Sequence, residues 1–450
     1  MITKIEVDGF KSLSEFELKL KSGLNILVGP NGAGKTNIIL FFEFLSKIAN
    51  NSIGHAVSSI GGAGSIFKKI GKEEYQDTIK FKIFGSSQAE ANTFIIYEYT
   101  TIIKSSFSKD DIYFDYQDIK VRTATKFWAD PDEIKGKTVW DFHLEFQYKA
   151  SEKPIVTIHE LNRKKFKPRF FFNPNDKEED FEKGFKEFIT QNDPSARIIV
   201  APLFPIIESA NIIINDILGG ESFNVVPSKV KEQEDAATPP GIKKDGSGLA
   251  TTLYALKKSK PFSQVVEFRF HYFIERPERN YDPKSLKKII SYLKLANKTI
   301  VDLTVDNDPF DNRLIVRIFI KTGSYDAVLP LSSMSDGTIK WLTLITAILT
   351  SKTIFSIEEP ENFLHPWMQA EIAKIMREHI EQKKNHSFII MTTHSESLLN
   401  SSNPEEVILV DLVEGKTSAR RIANIQALKE EISQSGFGLG HFYFSDSFEA

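Results

Sequence analysis

Two periodicities divide the chain. Residues 2–7 and the run Phe16-Glu17-Leu18-Lys19-Leu20 alternate apolar with polar positions, which predicts two strands around a turn at Gly9. The unbroken apolar stretch Leu24-Asn25-Ile26-Leu27-Val28 predicts a third, buried strand, and a helical pattern follows to about residue 50. From about Thr78 to Thr157 the sequence is dense in Phe, Tyr, Ile and Val at period two, as in Thr78-Ile79-Lys80-Phe81-Lys82-Ile83 and Phe94-Ile95-Ile96-Tyr97-Glu98-Tyr99. That pattern predicts an antiparallel meander. Residues near 177–220 read as helical, and Lys231-Glu232-Gln233-Glu234-Asp235-Ala236-Ala237-Thr238-Pro239-Pro240 reads as a charged, proline-ended loop. Helices are expected again around 249–256 and 286–293, a strand pair over 299–321, and alternating strands and helices from Ser335 onward. No heptad run is long enough for a coiled-coil arm.

Three stretches carry chemistry at strand ends. The run Gly29-Pro30-Asn31-Gly32-Ala33-Gly34-Lys35-Thr36-Asn37 follows the third strand and opens the helix, as a G-x-x-x-x-G-K-[ST] phosphate loop does. Glycines there let successive N–H groups turn toward phosphate oxygens, and the helix adds its positive end. Lys35 is expected to reach the β- and γ-phosphates of ATP, and the Thr36 hydroxyl to ligate Mg²⁺. Glu358-Glu359-Pro360-Glu361 ends the strand pattern Lys352-Thr353-Ile354-Phe355-Ser356-Ile357. Glu358 is placed to hold Mg²⁺, and Glu359 to orient or deprotonate the attacking water. Most phosphate-loop enzymes carry Asp at the first of these positions; Glu adds reach without changing charge. An acidic helix cap would give the same local pattern. Ser387-Phe388-Ile389-Ile390-Met391-Thr392-Thr393 is another apolar strand ending in His394-Ser395, and a neutral imidazole there can hydrogen-bond the γ-phosphate or the water.

A fourth stretch, Leu331-Ser332-Ser333-Met334-Ser335-Asp336-Gly337-Thr338, precedes the helical pattern Ile339-Lys340-Trp341-Leu342-Thr343-Leu344-Ile345. Its minimal meaning is a capped helix, although Ser335 beside bare helix N–H groups also makes an anion site. The order of phosphate loop, long insert, Ser-Asp-Gly-Thr, Glu-Glu-Pro-Glu and Thr-His-Ser resembles the ABC-type ATPase heads of the SMC, RecF and OLD group. Glu358-Glu359-Pro360-Glu361-Asn362-Phe363-Leu364-His365-Pro366 and Met334-Ser335-Asp336-Gly337-Thr338 are similar to the stand-alone prokaryotic AAA-family ATPases of that group, as are Lys244-Asp245-Gly246-Ser247-Gly248-Leu249-Ala250 and Gly438-Leu439-Gly440-His441-Phe442-Tyr443-Phe444-Ser445.

The resemblance implies an α/β fold: a phosphate-loop mixed sheet with helices, an antiparallel β meander and an inserted, mainly helical region. The expected division is an ATP-binding lobe over 1–160, the helical insert over 161–298, and a lobe over 299–450 bearing the signature, acidic and histidine motifs. It further implies a homodimer closed around ATP, in which Ser335, Asp336 and Gly337 of one subunit complete the site of the other. Several such ATPases act in antiphage defence beside a separately encoded nuclease or toxin, which implies an ATP-hydrolysing switch that controls such an effector; a non-catalytic ATP-bound scaffold and an SMC/RecF-like DNA-repair ATPase binding DNA directly stay open. Asp336 replaces the usual second signature glycine, and no glutamine loop is identifiable near Gly61-Gly62-Ala63-Gly64-Ser65-Ile66-Phe67-Lys68-Lys69-Ile70-Gly71.

Composition changes this picture little. The chain has 450 residues, enough for two or three structural units, and a net charge of −3, so no basic field draws nucleic acid to the whole surface. Arg163-Lys164-Lys165-Phe166-Lys167-Pro168-Arg169 and Lys257-Lys258-Ser259-Lys260 read first as solvated loops, with contact to a nucleic-acid backbone left open. The absence of cysteine excludes disulfides and Cys-ligated zinc. No signal-peptide core or membrane-length apolar run is visible, so the expected location is the cytoplasm. Val413-Glu414-Gly415-Lys416-Thr417 superficially resembles the start of a TOPRIM nuclease domain, but too few residues follow to build one.

Overall fold

The computed structural model describes residues 1–106, 111–128, 140–148, 154–166, 173, 175–204, 206–259, 282–323, 325–351, 355–382 and 386–445. Residues 167–169 and 260 of the two basic runs, and 352–354 before the acidic pair, lie outside them.

The chain opens with β1 (Ile2–Asp8), β2 (Phe16–Lys19), β3 (Gly23–Val28), α1 (Lys35–Asn50) and α2 (Ile53–Ser59). The meander follows as β4 (Thr78–Glu90), β5 (Thr93–Ser106), β6 (Asp111–Ala124), β7 (Phe142–Gln147) and β8 (Ile155–Leu161). Next come α3 (Glu178–Gln191), α4 (Glu208–Leu218), β9 (Glu221–Phe223), α5 (Pro227–Val230), α6 (Leu249–Lys258) and α7 (Pro283–Ala296). Then β10 (Ile300–Asp308), β11 (Arg313–Thr322) and β12 (Tyr325–Pro330) lead to α8 (Asp336–Thr350), β13 (Phe355–Glu358), α9 (Pro366–Glu381), β14 (Phe388–Thr392) and α10 (Glu396–Asn400). The chain closes with β15 (Val407–Val413), β16 (Lys416–Arg421), α11 (Ile425–Ser435) and α12 (Leu439–Phe444).

Among the described residues three sheets form, in a mixed α/β fold. The meander strands extend to a seven-stranded antiparallel sheet in the order β2-β1-β4-β5-β6-β7-β8, because β1 pairs with β4 as well as β2. A six-stranded sheet runs β16-β15-β3-β14-β13-β9, with every pairing parallel except that of the β15–β16 hairpin. The expected strand pair over 299–321 is a three-stranded sheet, β10-β11-β12. The region expected to be mainly helical holds α3 to α7 and also contributes β9 to the parallel sheet.

Helix α1 is apolar on nearly every side because it is clamped between two sheets. On one side Phe41 meets Phe81 of β4 and Phe10 edge-on at ring separations of 5.4 Å, and on the other Phe42 meets Phe388 of β14 at 5.9 Å. The parallel strands are covered on both faces, which accounts for their unbroken apolar sequences. In β3, Leu24, Ile26 and Val28 point into a second core with α6, α8 and α9, while Leu27 points toward α1. Among the described residues no helix is long and apolar enough to cross a membrane.

This clamp makes α1 a stability hinge for both layers. Phe41→Ala should cost about 3–5 kcal/mol, as expected for a large core truncation, measured by urea unfolding. A loss below about 1 kcal/mol would mean the ring site collapses freely.

Candidate functional site

The site lies at the C-terminal ends of three neighbouring parallel strands. Pairing of Thr392 with Leu27 on one side and with Glu358 on the other brings the ends of β3, β14 and β13 to one level. Ligand crevices in open α/β sheets form at such carboxyl ends.

The phosphate loop leaves β3 and enters α1. Gly32 and Gly34 have φ of 82° and 101°, left-handed values that glycine adopts without strain. Gly34 is constrained twice, since a Cβ there would come within 1.9 Å of Thr417 Oγ1. At Gly29 a Cβ would lie 1.9 Å from Val410 O. The β15–β16 hairpin therefore packs directly on the loop. Among the described residues the backbone N–H groups of Gly32, Gly34, Lys35 and Thr36 have no hydrogen-bond acceptor, and Pro30, Asn31, Gly32 and Thr36 are exposed. Such a run of free donors at a helix start fits a phosphate group. Lys35 folds back over the loop, donating to Gly29 O at 2.7 Å and Pro30 O at 3.0 Å. Burial pushes its ammonium below the ordinary lysine value, opposed by the charges of Glu359 and Glu361.

Thr36 Oγ1 donates to Glu358 Oε2 at 3.2 Å, so the hydroxyl and carboxylate expected to share Mg²⁺ face each other. Burial raises the Glu358 carboxyl above its ordinary value, and the nearby Lys244 charge and Thr36 hydroxyl pull it back. A hydroxyl, one carboxylate, phosphate oxygens and water make a hard-oxygen shell suited to Mg²⁺. No group of three or more His, Cys, Asp or Glu with metal-holding geometry occurs among the described residues. Glu359 has a left-handed backbone, φ 44°, and its carboxylate is half exposed. Its Oε2 accepts from Asn362 Nδ2 at 2.9 Å, and its Oε1 stands 3.9 Å from His394 Nε2. Glu361 Oε1 accepts from Thr393 Oγ1 at 2.9 Å and from His394 N at 2.7 Å, fixing the histidine turn.

Ser335 caps α8, accepting from Thr338 N at 3.3 Å. Ser335 and Asp336 are exposed, and Asp336 pairs with Lys231 at 2.7 Å. Among the described residues, no hydrogen bond or ion pair joins either of them to the phosphate loop. Gly337 instead packs on the acidic loop, where a Cβ would meet Phe363 O at 2.6 Å. Thus Lys35, Thr36, Glu358, Glu359 and His394 converge, while the signature presents a separate open surface. Asn37 is turned aside, donating to Ser12 Oγ at 2.7 Å.

Several residues here were not assigned from the sequence. Thr417 Oγ1 lies 2.6 Å from Ser12 Oγ and donates to Ala33 O at 3.0 Å, strapping the phosphate loop to β16. In the sequence Thr417 stood out only as the end of the superficially TOPRIM-like run Val413-Glu414-Gly415-Lys416-Thr417. Lys244, in a segment noted for resemblance alone, pairs with Glu43 at 2.8 Å beside Glu358. Asn224 follows β9, whose pairing of Phe223 with Ile357 puts the exposed Asn224 level with Glu358. In the basic run around Lys257, its ammonium is already engaged by Val305 O at 2.8 Å and Asp306 at 2.6 Å.

Thr417→Val keeps shape but removes the strap's hydroxyl. Stability should fall by about 1–3 kcal/mol, the cost of stranding buried polar partners, and ATP affinity should fall with it, read by urea unfolding and fluorescent-nucleotide titration. Unchanged values for both would mean that the hairpin does not brace the loop.

Endonuclease GajA of Bacillus cereus strain HuB5-5 is 27% identical over 32% of this chain and 26% of its own length. The DNA double-strand break repair Rad50 ATPase of Methanopyrus kandleri is 44% identical over 9% of this chain and 4% of its own length. The chain therefore spans a minor part of either relative. Two SMC head structures, one bound to the C-winged helix domain of ScpA and one from Thermotoga maritima, align over 95% and 94% of this chain and 99% of theirs, at 11% and 10% identity and TM-scores of 0.47 and 0.39. A family model described as "AAA domain, putative AbiEii toxin, Type IV TA system" matches residues 24–400, and the chain belongs to this family of AAA ATPases.

Proposed function

We propose that the chain is an ATP-hydrolysing switch that closes as a homodimer around nucleotide and controls a separately encoded effector, a nuclease or toxin of antiphage defence. The observation that carries the reading is the convergence of Lys35, Thr36, Glu358, Glu359 and His394 at three adjacent strand ends, with Ser335 exposed apart from them. One subunit then supplies the phosphate cradle and the base, and Ser335 of the second copy supplies the missing cap on the γ-phosphate. Similarity to part of an endonuclease supports the defence setting.

In this reading the free N–H groups of the loop and Lys35 bind the β- and γ-phosphates, Lys35 exchanging its loop carbonyls for phosphate oxygens. Thr36 and Glu358 would hold Mg²⁺, which offsets the charge on those oxygens. Glu359 accepts the proton of the attacking water, and His394, its backbone fixed by Glu361, donates to the γ-phosphate or the water. Cleavage releases phosphate, removes the bridge between subunits and lets the dimer open. Since a ligand shifts a conformational equilibrium only through differential affinity, the effector must prefer one of the two forms.

Glu359→Gln should keep ATP binding, slow turnover by at least ~10²-fold as loss of a general base does, and accumulate a closed dimer in size-exclusion chromatography with ATP. Wild-type turnover in that variant would remove Glu359 from the role. Mixed Lys35→Ala and Ser335→Arg subunits should recover part of the activity that neither has alone, through one intact composite site. Heterodimers that form and stay inactive would show that Ser335 does not act across the interface. Affinity for a co-encoded partner, measured by calorimetry, should differ between the apo protein and its complex with a non-hydrolysable ATP analogue by about 5- to 150-fold, the usual range for coupled sites. The absence of any co-purifying partner, or DNA cleavage by this chain alone, would overturn effector control.

A further inference from the structure

The helix that begins at Ser335 meets the acidic loop at one buried ammonium. Lys340, on α8, is 1% exposed, yet among the described residues no carboxylate forms an ion pair with it. Burying an ammonium without a paired counter-charge is costly. Its Nζ donates to Glu359 O at 3.0 Å and stands 5.8 Å from the centre of the Phe363 ring. Burial pushes it down to about 8, while the charges of Glu361 and Glu359 act in the opposite direction. Among the described residues, its hydrogen-bond acceptor, the ring beneath it and the charges acting on it all belong to the loop 359–363.

That loop is an unfavourable piece of backbone. Glu359 at φ 44° and Phe363 at φ 68° are non-glycine residues in the left-handed region. Such conformations persist only where the surroundings over-determine them. Helix α8 braces both ends: Lys340 holds the carbonyl of Glu359, and the bare Cα of Gly337 admits the carbonyl of Phe363, which a Cβ would approach to 2.6 Å. The carbonyl that Lys340 grips belongs to the residue whose side chain faces His394.

We propose that Lys340 is a positioning residue that couples Ser335 to Glu359, holding the base loop in its strained form so that a shift of α8 at the subunit interface moves the carboxylate. This rests on the reading of Glu359 as the base and Ser335 as the interface serine. Lys340 touches no substrate; its action is on the backbone from which the base projects. A general base displaced by about 1 Å loses on the order of 10²-fold in rate, so the coupling would make hydrolysis conditional on the signature being engaged.

The test uses the full chain as Lys340→Met, Lys340→Arg, Glu359→Gln and the Lys340→Met/Glu359→Gln double variant, with steady-state hydrolysis, affinity for a non-hydrolysable ATP analogue, and thermal unfolding. Lys340→Met should lower kcat by roughly 10²-fold with KM and analogue affinity changed only a few-fold, and Lys340→Arg should restore much of the loss. The double variant should be no slower than Glu359→Gln alone. The inference is overturned if Lys340→Met keeps kcat, if its loss lies in KM or affinity, or if the two losses multiply. If Lys340→Met does not fold, Gly337→Ala decides, since it presses on the same loop from its other end: reduced kcat with affinity kept supports the coupling, and unchanged kcat sinks it. Near-normal turnover of Glu359→Gln would instead overturn the underlying base assignment, an outcome separable from the others.

Discussion

Parallel pairing of β14 between β3 and β13 is the constraint on which the site depends. Because Thr392 is in register with Leu27 on one neighbour and Glu358 on the other, the loops that follow the three strands emerge side by side. A slip of one residue in either pair would turn alternate side chains to the opposite face and carry Glu358 away from Thr36. The apolar burial of both faces protects that register: Phe388 to Met391 contribute alternately to the core around α1 and to the core around α8 and α9. Packing thereby fixes the distance between a hydroxyl and a carboxylate.

The same logic extends outward through polar contacts. The phosphate loop is held from one side by the β15–β16 hairpin, where Thr417 bridges Ser12 and Ala33. The acidic loop is held from the other side by α8, through Lys340 and Gly337. The two loops proposed to handle nucleotide are thus each braced by a separate part of the chain. Movement of either brace would alter the site without touching a ligand residue, a useful property in a switch.

Motifs whose residues are contiguous were legible in the sequence. The phosphate loop, the acidic pair and the histidine each follow an apolar strand, and a strand followed by a functional turn is a local pattern. The meander was legible for the same reason, although the pairing of β1 with β4, across some seventy residues of chain, was not. Strand β9 was missed because three residues, Glu221 to Phe223, carry no periodicity; with it went the placement of Asn224 beside Glu358. Lys340 was invisible for a different reason. Ten consecutive residues of α8, from Ile339 to Ile348, are buried, so the helix has no solvent stripe to set a lone lysine against. The roles of Ser12 and Thr417 depend on contact between residues about 400 apart in sequence, which no local pattern encodes.

The central claim is that the nucleotide site is divided between two copies, with the phosphate cradle on one and Ser335 on the other. A structure of the Glu359→Gln protein with ATP and Mg²⁺ tests this most directly. The account predicts a two-fold dimer in which Ser335 Oγ of one protomer lies about 3 Å from a γ-phosphate oxygen, hydrogen-bond distance, on nucleotide held by Lys35 of the other. A monomer with a fully enclosed γ-phosphate, or a dimer in which Ser335 remains on the outer surface, would contradict it.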